Sequence, residues 1–260
     1  MKNKQYFAPE GHIIRKIWGN GDTILLIFAG SAAEFALNKA VDWLYFTGKI
    51  PKDPIGRLFS TVSYARKIIF ATEEEAFATI DSINVIHSHV EHARGAKIPE
   101  WAFRDVLYML IHYSIASFEI LERPLSGNEK QAVFENFHKL GERMNIPGLP
   151  KDYKEWLTSY HHHLENDLEK SELSIDLFRQ YKKHLGNFRY RILIESQKLI
   201  VPGTTAKLLG FQNGSALTAL LPIYKLLRSI HADWLLKSFL LPKAYHDQIR
   251  QLDTGGKQRP

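Results

Sequence analysis

Apolar residues recur along most of the chain at intervals of three and four, the period of a helix with one buried face. The two-residue alternation of a half-buried strand is almost absent. Start and stop signals divide the helical pattern. Asp53-Pro54 places an N-cap before a proline at the first helical position and opens a helix to about Phe70. Thr72 with Glu75 is a capping box that opens a helix to about His92. Pro99 starts a third helix, which ends before Pro124. Ser126 with Glu129 is a second capping box, and its helix stops near Asn145-Ile146-Pro147-Gly148. Further helical stretches cover roughly 152–168, 173–185 and 187–200, and a last set after Pro202 is broken at Gly210, Asn213-Gly214 and Pro242. The expectation is an all-α protein with a single multi-helix domain of about nine or ten helices. Residues 1–20 read as an irregular N-terminal arm, 21–252 as the helical domain and 253–260 as a flexible tail.

Composition narrows the class. A chain of 260 residues with 45% hydrophobic and 24% charged residues is an ordinary globular protein, long for one domain and short for two. Disordered, collagenous and repeat architectures do not fit it. The absence of cysteine excludes disulfides, thiolate nucleophiles, iron–sulfur clusters and covalent haem attachment. Any metal must be held by His, Asp, Glu, Tyr or Met. The net charge of +6 suits an anionic ligand or a membrane surface. The cations are spread along the chain rather than clustered, so no nucleic-acid partner is expected. The longest apolar run, Ile24 to Ala33, is interrupted by Glu34 and is shorter than the roughly 20 residues of a spanning helix. The N-terminus lacks the apolar segment of a signal peptide. A cytoplasmic protein without a transmembrane segment is expected, and peripheral membrane contact would suit a hydrophobic substrate.

Candidate chemistry begins with histidine. In the helix 73–92, Phe77, Ile80, Ile83, Ile86 and Val90 fill one arc; His87 falls inside it, and His89 and His92 fall opposite. A core imidazole needs a partner for each nitrogen. Spacing alone leaves two readings open, a hydrogen-bonded structural histidine and an axial haem or metal ligand. On the preceding helix Arg57, Thr61, Tyr64 and Ile68 form one stripe beside an apolar face of Ile55, Leu58, Phe59, Val62 and Ile69. A half-buried guanidinium wants an anion. That anion is either a carboxylate on a neighbouring helix or one on a ligand, such as a haem propionate. Glu135-Asn136-Phe137-His138 is a single E-x-x-H, where a di-iron bundle needs two. His161-His162-His163 reads as a surface run. His112 shares what reads as the wetter side of its helix with Asp105, Tyr108 and Glu119, and is the second histidine to consider. There is no H-E-x-x-H, Walker loop or G-x-S-x-G.

Several segments then fall into a known order. Asp53-Pro54-Ile55-Gly56-Arg57-Leu58-Phe59-Ser60-Thr61 resembles the D-P-x-x-R-x-x-x-T stretch of one oxygenase family, which contains the fungal MpaB-type oxygenases and the bacterial latex-clearing proteins, or rubber oxygenases. About 25 residues later, Ile86-His87-Ser88-His89-Val90 is similar to the family's H-x-x-V helix. Residues Pro99 to Leu107, the turn Glu122 to Ser126, and Gly141 to Ile146 continue the likeness, which is strongest over 50–200.

The resemblance implies an all-α fold with a globin-like helical core around non-covalent haem b. It implies His87 as the proximal iron ligand, and Arg57 and Thr61 in the haem surroundings. The implied activity is dioxygen-dependent oxidative cleavage of a C=C bond in an isoprenoid-like, hydrophobic substrate. Ser60 stands where the rubber oxygenases carry a lysine able to act as a distal ligand, and His92 stands where the family has a glycine. The second nitrogen of His87 is expected to meet a carbonyl or carboxylate. No base is readable; Asp42 is the upstream carboxylate in a mostly apolar helical stretch. The alternative reading is a non-catalytic helical protein that binds haem or a lipid.

Overall fold

The computed structural model describes residues 4–48 and 52–229. In chain order the helices are α1 (Ile13–Trp18), α2 (Gly21–Leu37), α3 (Val41–Phe46), α4 (Pro54–Phe70), α5 (Glu73–Arg94) and α6 (Glu100–Leu121). They continue as α7 (Gly127–Arg143), α8 (Tyr153–Asn166), α9 (Glu172–Ile200), α10 (Gly203–Leu209) and α11 (Leu217–Ser229). Among the described residues there is no strand, only two isolated bridges, Tyr6 with Thr72 and Asn38 with Leu168. The expected break at Pro242 and the tail 253–260 lie outside the described residues.

The local signals explain where helices begin. The Asp53 side chain accepts a hydrogen bond from the Gly56 amide, with Pro54 at the first position of α4. Both capping boxes form, Thr72 with Glu75 on α5 and Ser126 with Glu129 on α7. The two stretches expected on either side of 186 form α9, which breaks at Gly186 (φ 72, ψ 168), a conformation open essentially to glycine alone.

The helix α2 forms the centre. Thirteen of its 17 residues are buried, because a helix apolar all round has no face to give to water. It packs mainly on α6 and α9. Gly30 permits the closest approach: a Cβ there would lie 2.2 Å from the Tyr113 ring of α6. Around α2 the large side chains Trp18, Tyr113, Phe134, Phe137, Trp156 and Tyr160 are fully buried. Large apolar side chains contribute about 1.5–3 kcal/mol each when removed from water.

The N-terminal segment differs from expectation. Residues 13–18 of the expected irregular arm form α1, with Ile13, Ile14, Ile17 and Trp18 buried. Trp18 Nε1 donates to Ser114 Oγ at 3.0 Å. Upstream, the Phe7 amide donates to the Ala71 carbonyl and the Gln5 carbonyl accepts from the Glu73 amide, which ties this segment to the start of α5. Tertiary burial, not local propensity, holds so short a helix.

Candidate functional site

Helix α5 presents Ala76, Ile80, Ile83, His87, Val90 and Arg94 at three- and four-residue steps, hence on one face. Ala76 and Ile80 are fully buried, and the middle of the stripe is half-buried. His87 sits there as the spacing predicts, with His89 and His92 exposed. Ile86 does not belong to the buried arc, being 45% exposed, and its neighbour Val85 is 54% exposed. The His87 ring packs against Phe103 of α6, centroids 5.2 Å apart. Its Nδ1 is buried without a hydrogen-bond partner. Burial, then the nearby Arg57 charge, push the imidazole pKa down, against a smaller opposing pull from Glu91. Both favour the neutral imidazole, the form able to ligate a metal.

Arg57 and Thr61 lie on α4, which packs against α5. Arg57 Nη1 donates to Ser60 Oγ and to Thr61 Oγ1, each at 3.0 Å. Thr61 Oγ1 in turn donates to the Arg57 carbonyl at 3.2 Å. No described carboxylate forms an ion pair with Arg57, so the helix-to-helix salt bridge is absent, and burial lowers its pKa. The apolar face beside it is buried at Ile55, Val62 and Ile69; the Leu58 side chain lies outside what is described. The structure thus brings Arg57, Thr61 and His87 to one α4–α5 surface. Asp42 of α3 is ion-paired with Arg94, whose guanidinium lies over the Trp43 ring at 4.0 Å. Arg94 follows His87 by seven residues, about 10 Å along the same face.

The remaining histidines separate into two groups. Glu135 is exposed and accepts from Gln131, while His138 lies against Glu142, so the single E-x-x-H assembles nothing. His163 is different and corrects the surface reading. His161 and His162 are exposed, but His163 is 1% exposed. The face of α8 that carries Trp156, Tyr160 and Leu164 turns inward and takes His163 with it. On the side of α6 read as wetter, Asp105 and Tyr108 are buried, while His112 and Glu119 are half-buried.

These residues meet at Glu34, which is 0% exposed. Tyr113 and Tyr160 hydroxyls donate to Glu34 Oε2 at 2.7 and 2.8 Å, and His163 Nε2 lies 3.3 Å from Oε1. His163 Nδ1 is 3.0 Å from Asp105 Oδ1 and 3.5 Å from Asp167 Oδ2, at angles that make no aligned hydrogen bond. Asn38 Nδ2 donates to Asp105 Oδ2 at 2.9 Å and so fixes that carboxylate. Burial disfavours the His163 charge, but Asp105 and Glu34 outweigh it and hold the imidazole up to about 9. Burial and the Glu34 carboxylate push both tyrosines well up. His112 stacks on Tyr160 at 4.7 Å and burial pushes it down to about 4.

The architecture is that of a single all-α domain. More particularly, the chain belongs to an oxygenase family: the family described as ER-bound oxygenase mpaB/B'/rubber oxygenase, catalytic domain, matches residues 17–257. The match covers most of the chain and makes it an oxygenase catalytic domain. Neither the curated proteins nor the solved structures contain a match. No described helix is long and apolar enough to cross a membrane.

Proposed function

We propose that this oxygenase domain uses haem b and dioxygen to cleave a C=C bond of a hydrophobic, isoprenoid-like substrate. The observation that carries the reading is the half-buried His87 ring with Nδ1 unpartnered, beside an arginine that pairs with no described carboxylate. The residues fit the group. His87 offers a lone pair to iron. Arg57 and Thr61 offer a guanidinium and a hydroxyl to a propionate.

Haem, when bound, supplies the redox chemistry of dioxygen. The protein supplies position. Phe103 packs on the His87 ring, limits its rotation and keeps water from it. Arg57, held by Ser60 and Thr61, would hold a carboxylate of the group. Ser60 offers a hydroxyl where the rubber oxygenases carry an amine, and that hydroxyl accepts from Arg57. Asp42 is already neutralised by Arg94, and no base is assigned to it. A cytoplasmic location with peripheral membrane contact belongs to the same proposal, since a hydrophobic substrate partitions into lipid.

The test is an absorption spectrum with a pyridine haemochrome assay on protein made in haem-supplemented cells. About one haem b per chain is expected, five-coordinate and reactive with carbon monoxide. His87→Ala should lose the haem with its helical circular dichroism intact, and Arg57→Ala should release haem more readily than Arg104→Ala. Equal haem in His87→Ala and the parent protein removes His87 from the ligand role. Six-coordinate haem inert to carbon monoxide favours a non-catalytic haem protein instead.

A further inference from the structure

In the centre behind α6 three carboxylates face a single imidazole. Glu34, Asp105 and Asp167 all face His163, and no described lysine or arginine pairs with any of them. Buried charge of one sign is costly without a partner. One ligand atom from each of Asp105, His163 and Asp167 lies within 4.8 Å of the other two.

We propose that Asp105, His163 and Asp167 bind a divalent first-row cation such as Zn2+, at a centre separate from His87. His163 and Asp167 are four residues apart, at the C-terminal end of α8 and just beyond it, so both project to one side; Asp105 faces them from α6. A tetrahedral ion about 2.0–2.2 Å from each ligand asks for ligand spacings of about 3.3–3.6 Å. The observed spacings from Nδ1 are 3.5 Å to Asp167, inside that range, and 3.0 Å to Asp105, just below it. A plain ion pair would align its N–H on one oxygen. Here Nδ1 lies between two carboxylates, in a side chain 2% exposed, without an aligned hydrogen bond.

The surroundings have the outer shell of such a site. His163 turns Nε2 to Glu34, and Glu34 is held by two tyrosine hydroxyls. A carboxylate on the far nitrogen fixes the ring of a ligating histidine. Asn38 does the same for Asp105. The Asp167 side chain is 25% exposed, which gives a path for the ion and room for water to complete the coordination. One imidazole with two carboxylates suits a borderline ion such as Zn2+ or Co2+, rather than a soft one. The centre is distinct from the proposed haem surface because Phe103 and Asp105, two residues apart on α6, point to opposite sides: Phe103 to His87, Asp105 to His163.

The experiment uses the full chain, stripped with a chelator and titrated with Zn2+, and with Co2+ as a visible probe, by calorimetry and elemental analysis. One Zn2+ per chain, Co2+ ligand-field bands, and a raised melting temperature are expected. Asp167→Asn, at the open edge of the site, should fold normally and weaken Zn2+ binding at least tenfold. His87→Ala should bind Zn2+ as the parent does, whatever its haem content, which separates this site from the haem reading. No Zn2+ uptake by the parent, or undiminished uptake by a folded Asp167→Asn, overturns the proposal.

Discussion

Glu34 accepts from two tyrosine hydroxyls and faces an imidazole, and none of these groups can turn to water. Glu34→Ala should therefore destabilise the fold by about 3–5 kcal/mol, the range for breaking a buried charged pair. Urea unfolding measures this, and a loss under about 1 kcal/mol would show that the network is not coupled as described. The residue was visible in the sequence as the charge that ends the longest apolar run. Its partners were not, because they lie 79, 126 and 129 positions away and only the tertiary fold joins them. His87 was legible because a helical arc is local; the absence of a partner on its Nδ1 was not. His163 was misread because a run of three histidines looks polar. Placing it on the arc of Trp156, Tyr160 and Leu164 would have turned it inward.

Helices that carry their own start signals were read correctly, and α7 shows why. Ser126 Oγ accepts from the Glu129 amide while Glu129 accepts from the Ser126 amide and, through both oxygens, from Arg123. The Arg123 hydrogen bond first, then the Ser126 amide, hold the Glu129 carboxyl at about 2 against an ordinary 4.5. A depressed carboxyl stabilises the folded state fully above about pH 4.5, and that contribution is lost as pH falls through about 2. A carbon-detected NMR titration should find the Glu129 midpoint well below the other exposed glutamates. Arg123→Ala should move it back towards 4.5, and an unmoved midpoint would separate the shift from Arg123. By contrast α1 lacks a Ser, Thr, Asp or Asn cap: His12 Nδ1 accepts from the Ile14 amide at 3.2 Å, and four of its six residues are buried. Nothing short of the assembled core specifies it, which is why the sequence pattern left it irregular.

Across the whole molecule, α6 separates the surface of His87, Arg57 and Thr61 from the centre of His163, Asp105 and Asp167. That division makes a thermodynamic statement. A group bound only by the folded chain stabilises it by about 2.7 kcal/mol at one hundred times its Kd. For a chain of this length each kcal/mol raises the melting temperature by about 2–4 °C. Haem at His87, added to haem-free protein at that excess, should therefore raise the transition by about 5–10 °C. The rise should vanish in His87→Ala, because the ligand that ties the group to the folded state is gone. It should persist in Asp167→Asn, because that residue acts on the other side of α6 and distant sites add. Differential scanning calorimetry on the three proteins decides it. A rise retained in His87→Ala would place the stabilising contact elsewhere, and one lost in Asp167→Asn would show that the two centres are coupled through α6 rather than divided by it.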